Sequence, residues 1–148
     1  MFSDVETLLK EIKAGKMIIV MDDPGRENEG DFIMAADCVT KDSINFMTKH
    51  GRGLVCLPIS SNRAENLGLK LMVPDSAHGK LGTQFTNSIE AATGVTTGIS
   101  AADRAQTIKA AISKNATTES ISQPGHIFPI ISQDGGVLTR AGHTEAAC

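Results

Sequence analysis

The 148-residue chain has no tryptophan, no tyrosine and only five phenylalanines. Its core must therefore be built from aliphatic side chains, methionine and alanine, and aromatic platforms for stacking nucleic-acid bases are not expected. Cysteine is equally scarce: Cys38, Cys56 and Cys148 are odd in number, widely spaced and without a Cys-x-x-Cys pair. That pattern argues against a disulfide framework and a structural zinc site, and leaves reduced thiols. Positive charge is not in excess, since the net charge is −3; without a basic field, neither nucleic acid nor anionic lipid is an expected partner. No apolar run approaches the length that spans a bilayer, so no membrane partner is expected. The first residues, Met-Phe-Ser-Asp-Val-Glu, lack the basic stretch and apolar core of a secretion signal, so a cytoplasmic location is expected. A chain that is 41% hydrophobic and 21% charged has the composition of one ordinary domain with one core.

What is present is concentrated in the ten residues from Asp22 to Asp31, Asp-Asp-Pro-Gly-Arg-Glu-Asn-Glu-Gly-Asp, which follow the apolar run Met17 to Met21. Five carboxylates and one arginine fall there, and such crowding costs energy through mutual repulsion unless cations, a metal or a ligand offset it. Pro24 and Gly25 predict a turn, and Gly30 permits close approach of a ligand to the backbone. Glu27, Glu29 and Asp31 are hard oxygen donors of the kind that suit Mg2+ or Mn2+. On charge alone a solvated acidic turn accounts for the loop equally well.

Periodicity places this loop between two strands, Lys16 to Met21, read as buried, and Phe32 to Ala36. Ser3 and Glu6 have capping-box spacing ahead of a helix bearing Val5, Leu8, Leu9 and Ile12 and stopped by Gly15. Thr40 caps a helix that ends at Gly51, Gly53 to Ile59 reads as a fully buried strand, and Ser60 opens a weaker helix to about Leu67. Cys56, within that strand, reads as a small hydrophobe rather than a nucleophile. Pro74 to Gly82 suits a surface loop with a solvated His78, and Thr83 to Glu90 a strand through Phe85 and Ile89. In Gly94 to Arg104, hydroxyls and glycines lead into a helix carrying Ala105, Ile108 and Ile112, with Ser100 and Asp103 at capping spacing. Such a start can hold a phosphate or be an ordinary capped helix. Asn115 to Gln123 is a polar connection, and Pro124-Gly125-His126-Ile-Phe-Pro-Ile-Ile131 an apolar strand whose proline favours an edge or a bulge. His126, after a Pro-Gly turn, suits acid–base chemistry or a structural hydrogen bond. The final stretch gathers glycines, Arg140 and His143 at the start of a helix too short to stand alone, so the chain is expected to be a fragment or to lack a tail.

The acidic loop, Thr-Thr-Gly-Ile-Ser-Ala-Ala-Asp-Arg, Pro-Gly-His-Ile-Phe-Pro and Arg-Ala-Gly-His-Thr-Glu-Ala occur in this order. Taken together they make the sequence resemble the 3,4-dihydroxy-2-butanone 4-phosphate synthases of riboflavin biosynthesis over essentially its whole length. The resemblance implies a single α/β domain of the α+β type, a mixed sheet surrounded by helices, with the last helix cut short, and a homodimer. It implies a lyase that converts D-ribulose 5-phosphate to L-3,4-dihydroxy-2-butanone 4-phosphate and formate with Mg2+ or Mn2+. Glu27 and His143 would be the metal ligands and also touch substrate; His126 and Glu29 would be catalytic. Arg26, Asp31, Arg140, Ala141, Gly142 and Thr144 would contact substrate, and Thr97 the phosphate. Pro24-Gly25 departs from the acidic pair of many relatives. Relatives also continue for some tens of residues past this chain's end and supply a catalytic glutamate with no counterpart here. A chain without that tail could instead serve as a sugar-phosphate-binding or assembly module, and a metal-dependent sugar-phosphate isomerase would share the first step without releasing formate.

Overall fold

The computed structural model describes residues 2–73 and 82–148. Among the described residues, five α-helices, α1 (Val5–Lys13), α2 (Lys41–Phe46), α3 (Ser61–Asn66), α4 (Ala101–Ile112) and α5 (His143–Ala147), accompany six strands. The strands are β1 (Ile18–Met21), β2 (Gly30–Ile33), β3 (Cys56–Ile59), β4 (Gln84–Phe85), β5 (Ile89–Ala91) and β6 (Ile121–Ile131). β1 and β2 form an antiparallel hairpin with Met21 opposite Gly30, so the acidic residues lie at its tip. The other strands form a mixed sheet around β6, which pairs with β3 in parallel and with β4 and β5 antiparallel. The expected α/β architecture, a mixed sheet with helices around it, is therefore present.

The core is aliphatic, as the lack of aromatics requires. Ile44, Leu57, Leu67, Ile89, Ile108 and Ile127 are buried in one cluster between the sheet, α2 and α4. Three helix starts follow the sequence closely: Thr40, Ser60 and Ser100 each accept a main-chain N–H three residues on. Such caps satisfy donors that the helix itself leaves unpaired. Among the described residues, no helix is long and apolar enough to cross a membrane.

Several expectations require correction. Asp4, not Ser3, caps α1, because its carboxylate accepts from both the N–H and the hydroxyl of Thr7. The first strand is not buried throughout: Ile19 and Met21 are exposed, since a two-stranded hairpin covers only one of its faces. The second strand starts earlier, at Gly30, where hairpin pairing begins. The helix after Thr40 widens from Met47 to Gly51 into a π-helical turn, and strand pairing after Gly53 starts only at Cys56. The strand expected from Thr83 to Glu90 is two short pieces: Thr86 still bonds Pro129 and bridges Leu71, and the break falls at Asn87 and Ser88.

The polar connection from Asn115 is shorter than expected, as β6 begins at Ile121. Pro129 lies in the central strand rather than at an edge. Phe128 and Ser132 donate their N–H groups to Val55 and Ile59 next to β3, so the missing N–H of Pro129 falls on the opposite side. There only its carbonyl is used, accepting from the Thr86 N–H at 3.0 Å. The irregularity instead falls between β5 and β6, where Ile89 pairs with Ile127 but Glu90 with Ser122. Gln123 to His126 bulge out between those pairs. The loop expected at Pro74 to Gly82, with His78, lies outside the described residues except for Gly82.

Candidate metal centre and active site

The acidic tip is a folded loop whose hub is Asp22. Its carboxylate accepts from the Glu29 N–H at 3.0 Å, the Glu27 N–H at 3.0 Å and the Arg26 guanidinium at 2.8 Å. Asp23 closes the turn beneath, with its carboxylate on the Gly25 N–H at 2.7 Å, and Asn28 takes the left-handed conformation. Burial by itself would raise the Asp22 carboxyl, but the Glu29 N–H, Arg26, the Glu27 N–H and nearby His143 outweigh it and hold it at about 2. Arg26 also pairs with the Glu27 carboxylate. One arginine thus offsets two of the crowded charges.

His143 reaches this tip from the other end of the chain. It opens α5, which packs on β1 and β3. The side chain is largely buried, with Nδ1 3.8 Å from the Asp31 carboxylate. Its Nε2 is buried and has no hydrogen-bond partner among the described residues. Ligand atoms of Asp22, Glu27 and His143 lie within 4.8 Å of one another. Two carboxylates and an imidazole suit a hard or borderline divalent cation. Because both Asp22 oxygens are already occupied by loop donors, Glu27 and His143 have the more available ligand atoms. An orphaned buried nitrogen needs a partner, and a cation bound with Glu27 would supply one.

α5 and the segment before it are fixed by a second buried carboxylate. Glu145 accepts from the Gln133 N–H at 3.0 Å and from Arg140 at 2.6 Å, and Arg140 also donates to the Thr83 hydroxyl at 3.1 Å. Burial opposes ionisation of Glu145, but the Gln133 N–H and Arg140 prevail and lower its pKa. Gly142 and Thr144 are buried, whereas Ala141 is exposed. A cavity of about 480 Å³ adjoins the tip, with Glu29, Asp31, His143 and Thr144 at its polar end and Met34, Ile44 and Leu57 among its apolar walls. Cys56 also lines it. Burial, with a contribution from Asp31, pushes that thiol up to about 11, so it is protonated at neutral pH, as a packing role requires.

Other expected residues lie apart from this group. Thr97 is exposed in the loop before α4. The neighbouring donors there are already used: Asp103 accepts from the Thr96 N–H at 3.2 Å, the Thr96 hydroxyl at 2.7 Å and the Gly98 N–H at 3.1 Å. Asp103 therefore caps that loop internally. His126 is paired by Nδ1 with Glu90 at 2.6 Å and not with the hairpin. The structure thus brings together Arg26, Glu27, Glu29, Asp31, His143 and Thr144, places His126 and Arg140 in separate contacts, and leaves Thr97 exposed. Asp22, Glu90 and Glu145 are the residues that sequence reasoning missed. Only Asp22 left a local signal, as the first carboxylate of the acidic decade; Glu90 bonds to residues 17 and 36 positions away, and Glu145 to residues 5 and 12 positions away.

Comparison with known proteins bears on this geometry. The family model described as 3,4-dihydroxy-2-butanone 4-phosphate synthase matches residues 6–148. The protein of that name from Pseudomonas aeruginosa is 62% identical over 144 residues, covering 97% of this chain and 39% of the relative. A riboflavin biosynthesis protein RibBA from Aquifex aeolicus is 54% identical over 148 residues, covering 99% of this chain and 36% of the relative. The chain therefore spans about two fifths of the length of these relatives. A crystal structure of 3,4-dihydroxy-2-butanone 4-phosphate synthase in complex with two magnesium ions superposes with a TM-score of 0.95 at 40% identity, over 99% of this chain and 68% of that one. With a matching family model across nearly its whole length and the hairpin, α5 and central strand arranged as described, this chain belongs to the 3,4-dihydroxy-2-butanone 4-phosphate synthase family.

Proposed function

We propose that the protein to which this chain belongs is a lyase of riboflavin biosynthesis, converting D-ribulose 5-phosphate to L-3,4-dihydroxy-2-butanone 4-phosphate and formate. The observation that carries the reading is the meeting of Glu27, from the hairpin, with His143, from α5, whose Nε2 is buried and unpartnered among the described residues. Glu27 and His143 hold Mg2+, or alternatively Mn2+, with Asp22 behind them fixing the loop. When bound, the cation supplies Lewis-acid stabilisation for charge that develops on adjacent substrate oxygens. A solved relative contains two magnesium ions, which supports this choice of cofactor.

The remaining residues bind, orient and move protons. Glu29 and Asp31 stand at the polar end of the cavity. Asp31 accepts substrate hydroxyls there, and Glu29 serves with His126 in proton transfer. Arg26 keeps the carboxylate pair Asp22 and Glu27 in place and contacts substrate. Arg140, held by Glu145 and Thr83, binds substrate with Ala141, Gly142 and Thr144, while Thr97 faces the phosphate. A homodimer in the cytoplasm is the assembly we infer for it.

The test is formate release from ribulose 5-phosphate with Mg2+ by the full natural protein and by its Glu27→Gln variant. The lyase reading expects stoichiometric formate, with turnover reduced about 100-fold or more in the variant, the scale of removing a metal's charge stabilisation. Consumption of substrate with a five-carbon product and no formate would instead identify a sugar-phosphate isomerase.

A further inference from the structure

We propose that Glu90 is a positioning residue that fixes His126 as the Nδ1–H tautomer, so that Nε2 is the nitrogen presented for proton transfer. Its catalytic consequence rests on the lyase reading above, whereas its geometry does not.

Glu90 is a buried carboxylate that the hairpin and α5 do not use. It stands on β5 and reaches two partners in opposite directions. One oxygen, Oε2, lies 2.6 Å from His126 Nδ1. The other, Oε1, lies 2.9 Å from the Thr107 hydroxyl on α4. That hydroxyl is fully buried and accepts the Ala91 N–H at 3.0 Å. Its single proton can go to Glu90 or to the Asp103 carbonyl, also 2.9 Å away. A carboxylate is the stronger acceptor, so the proton is directed to Glu90.

The third wall is Gly98. It has φ +87, and a Cβ there would overlap the Glu90 carboxylate. Main chain therefore lies directly against the carboxylate, and Thr107 supports it from below. From the other side, the β5–β6 bulge delivers His126, with Gly125 pressed on the Ile89 and Glu90 main chain.

An ionised carboxylate only accepts hydrogen bonds. The short contact therefore requires a proton on Nδ1, in both charge states of the ring. In the neutral ring Nε2 is then the acceptor, the nitrogen able to take a proton from substrate. A purely structural pair, tying the bulge to β5, would need the same tautomer but would not tie it to turnover.

Glu90→Gln separates the two roles. With Thr107 still donating to the amide oxygen, the amide NH2 faces Nδ1 and requires an unprotonated nitrogen there. The proton moves to Nε2, and the base is lost without loss of volume. Imidazole 15N shifts of His126 in the full natural protein should report a protonated Nδ1, and the reverse in Glu90→Gln. The kcat for formate release should fall about tenfold or more, with KM within about twofold. Glu90→Asp, which keeps the carboxylate, should keep the tautomer and recover part of kcat.

A wild-type His126 protonated on Nε2 would overturn the proposal, as would an inverted tautomer in Glu90→Gln with unchanged kcat. The unsubstituted protein decides the first point, so a variant that fails to fold does not remove the test. Absence of formate from the wild-type protein would sink the lyase reading alone, because the tautomer is read without turnover.

Discussion

Asp22 and Glu90 are both acidic residues whose oxygens are spent on neighbours rather than on solvent. Asp22 gathers two N–H groups and a guanidinium, so it shapes the loop that presents Glu27. Glu90 gathers a hydroxyl and an imidazole, so it orients a ring. Neither arrangement tolerates much change in the backbone that brings the partners together. Gly125 is the sharpest case: a Cβ there would overlap the Ile89 carbonyl and the Glu90 N–H, which are main-chain atoms and cannot rotate away. Gly125→Ala is expected to lower stability by about 1–3 kcal/mol, as overpacking does, measured by the urea midpoint. An unchanged midpoint would contradict the close approach of β5 and β6.

At the scale of elements, the parts legible in the sequence are those fixed by neighbours in the chain. Thr40, Ser60 and Ser100 cap their helices because the capping oxygen and the N–H it accepts are three residues apart. The hairpin was legible because apolar runs flank a loop with turn residues. What was not legible depends on distant partners. Nothing near Pro129 reveals that its vacant side faces β4 and β5, so the proline alone suggests an edge or a bulge. The pairing that ends at Thr86 depends on Leu71 and Pro129, which lie far from it in the chain. At the site, the motifs that carry the family resemblance named Glu27 and His143, but the hydrogen bonds that fix them did not follow from spacing. Glu145 illustrates this, since its role emerges only when α5 turns back on Gln133.

At the scale of the whole molecule, three internally bonded carboxylates, Asp22, Asp103 and Glu145, have pKa values lowered by folding. In the unfolded chain such groups titrate at about 3.9–4.3. Between that range and the lower folded values, which for Asp22 is about 2, the unfolded chain binds more protons than the folded one. Their contribution to stability is therefore fully present above the ordinary carboxyl range and is lost as pH falls through it toward the folded values. The urea midpoint should decline steadily from pH 5 to pH 3, and more shallowly in Asp22→Asn. A flat profile would contradict the hydrogen-bonded loop.

The proposed cation site joins Glu27 of the hairpin to His143 of α5. Binding of Mn2+, followed by electron paramagnetic resonance in the full natural protein, tests it without turnover. Saturable binding is expected, weakening about tenfold or more in both Glu27→Gln and His143→Ala. Binding that is undiminished in both variants would place the cation elsewhere and exclude this site.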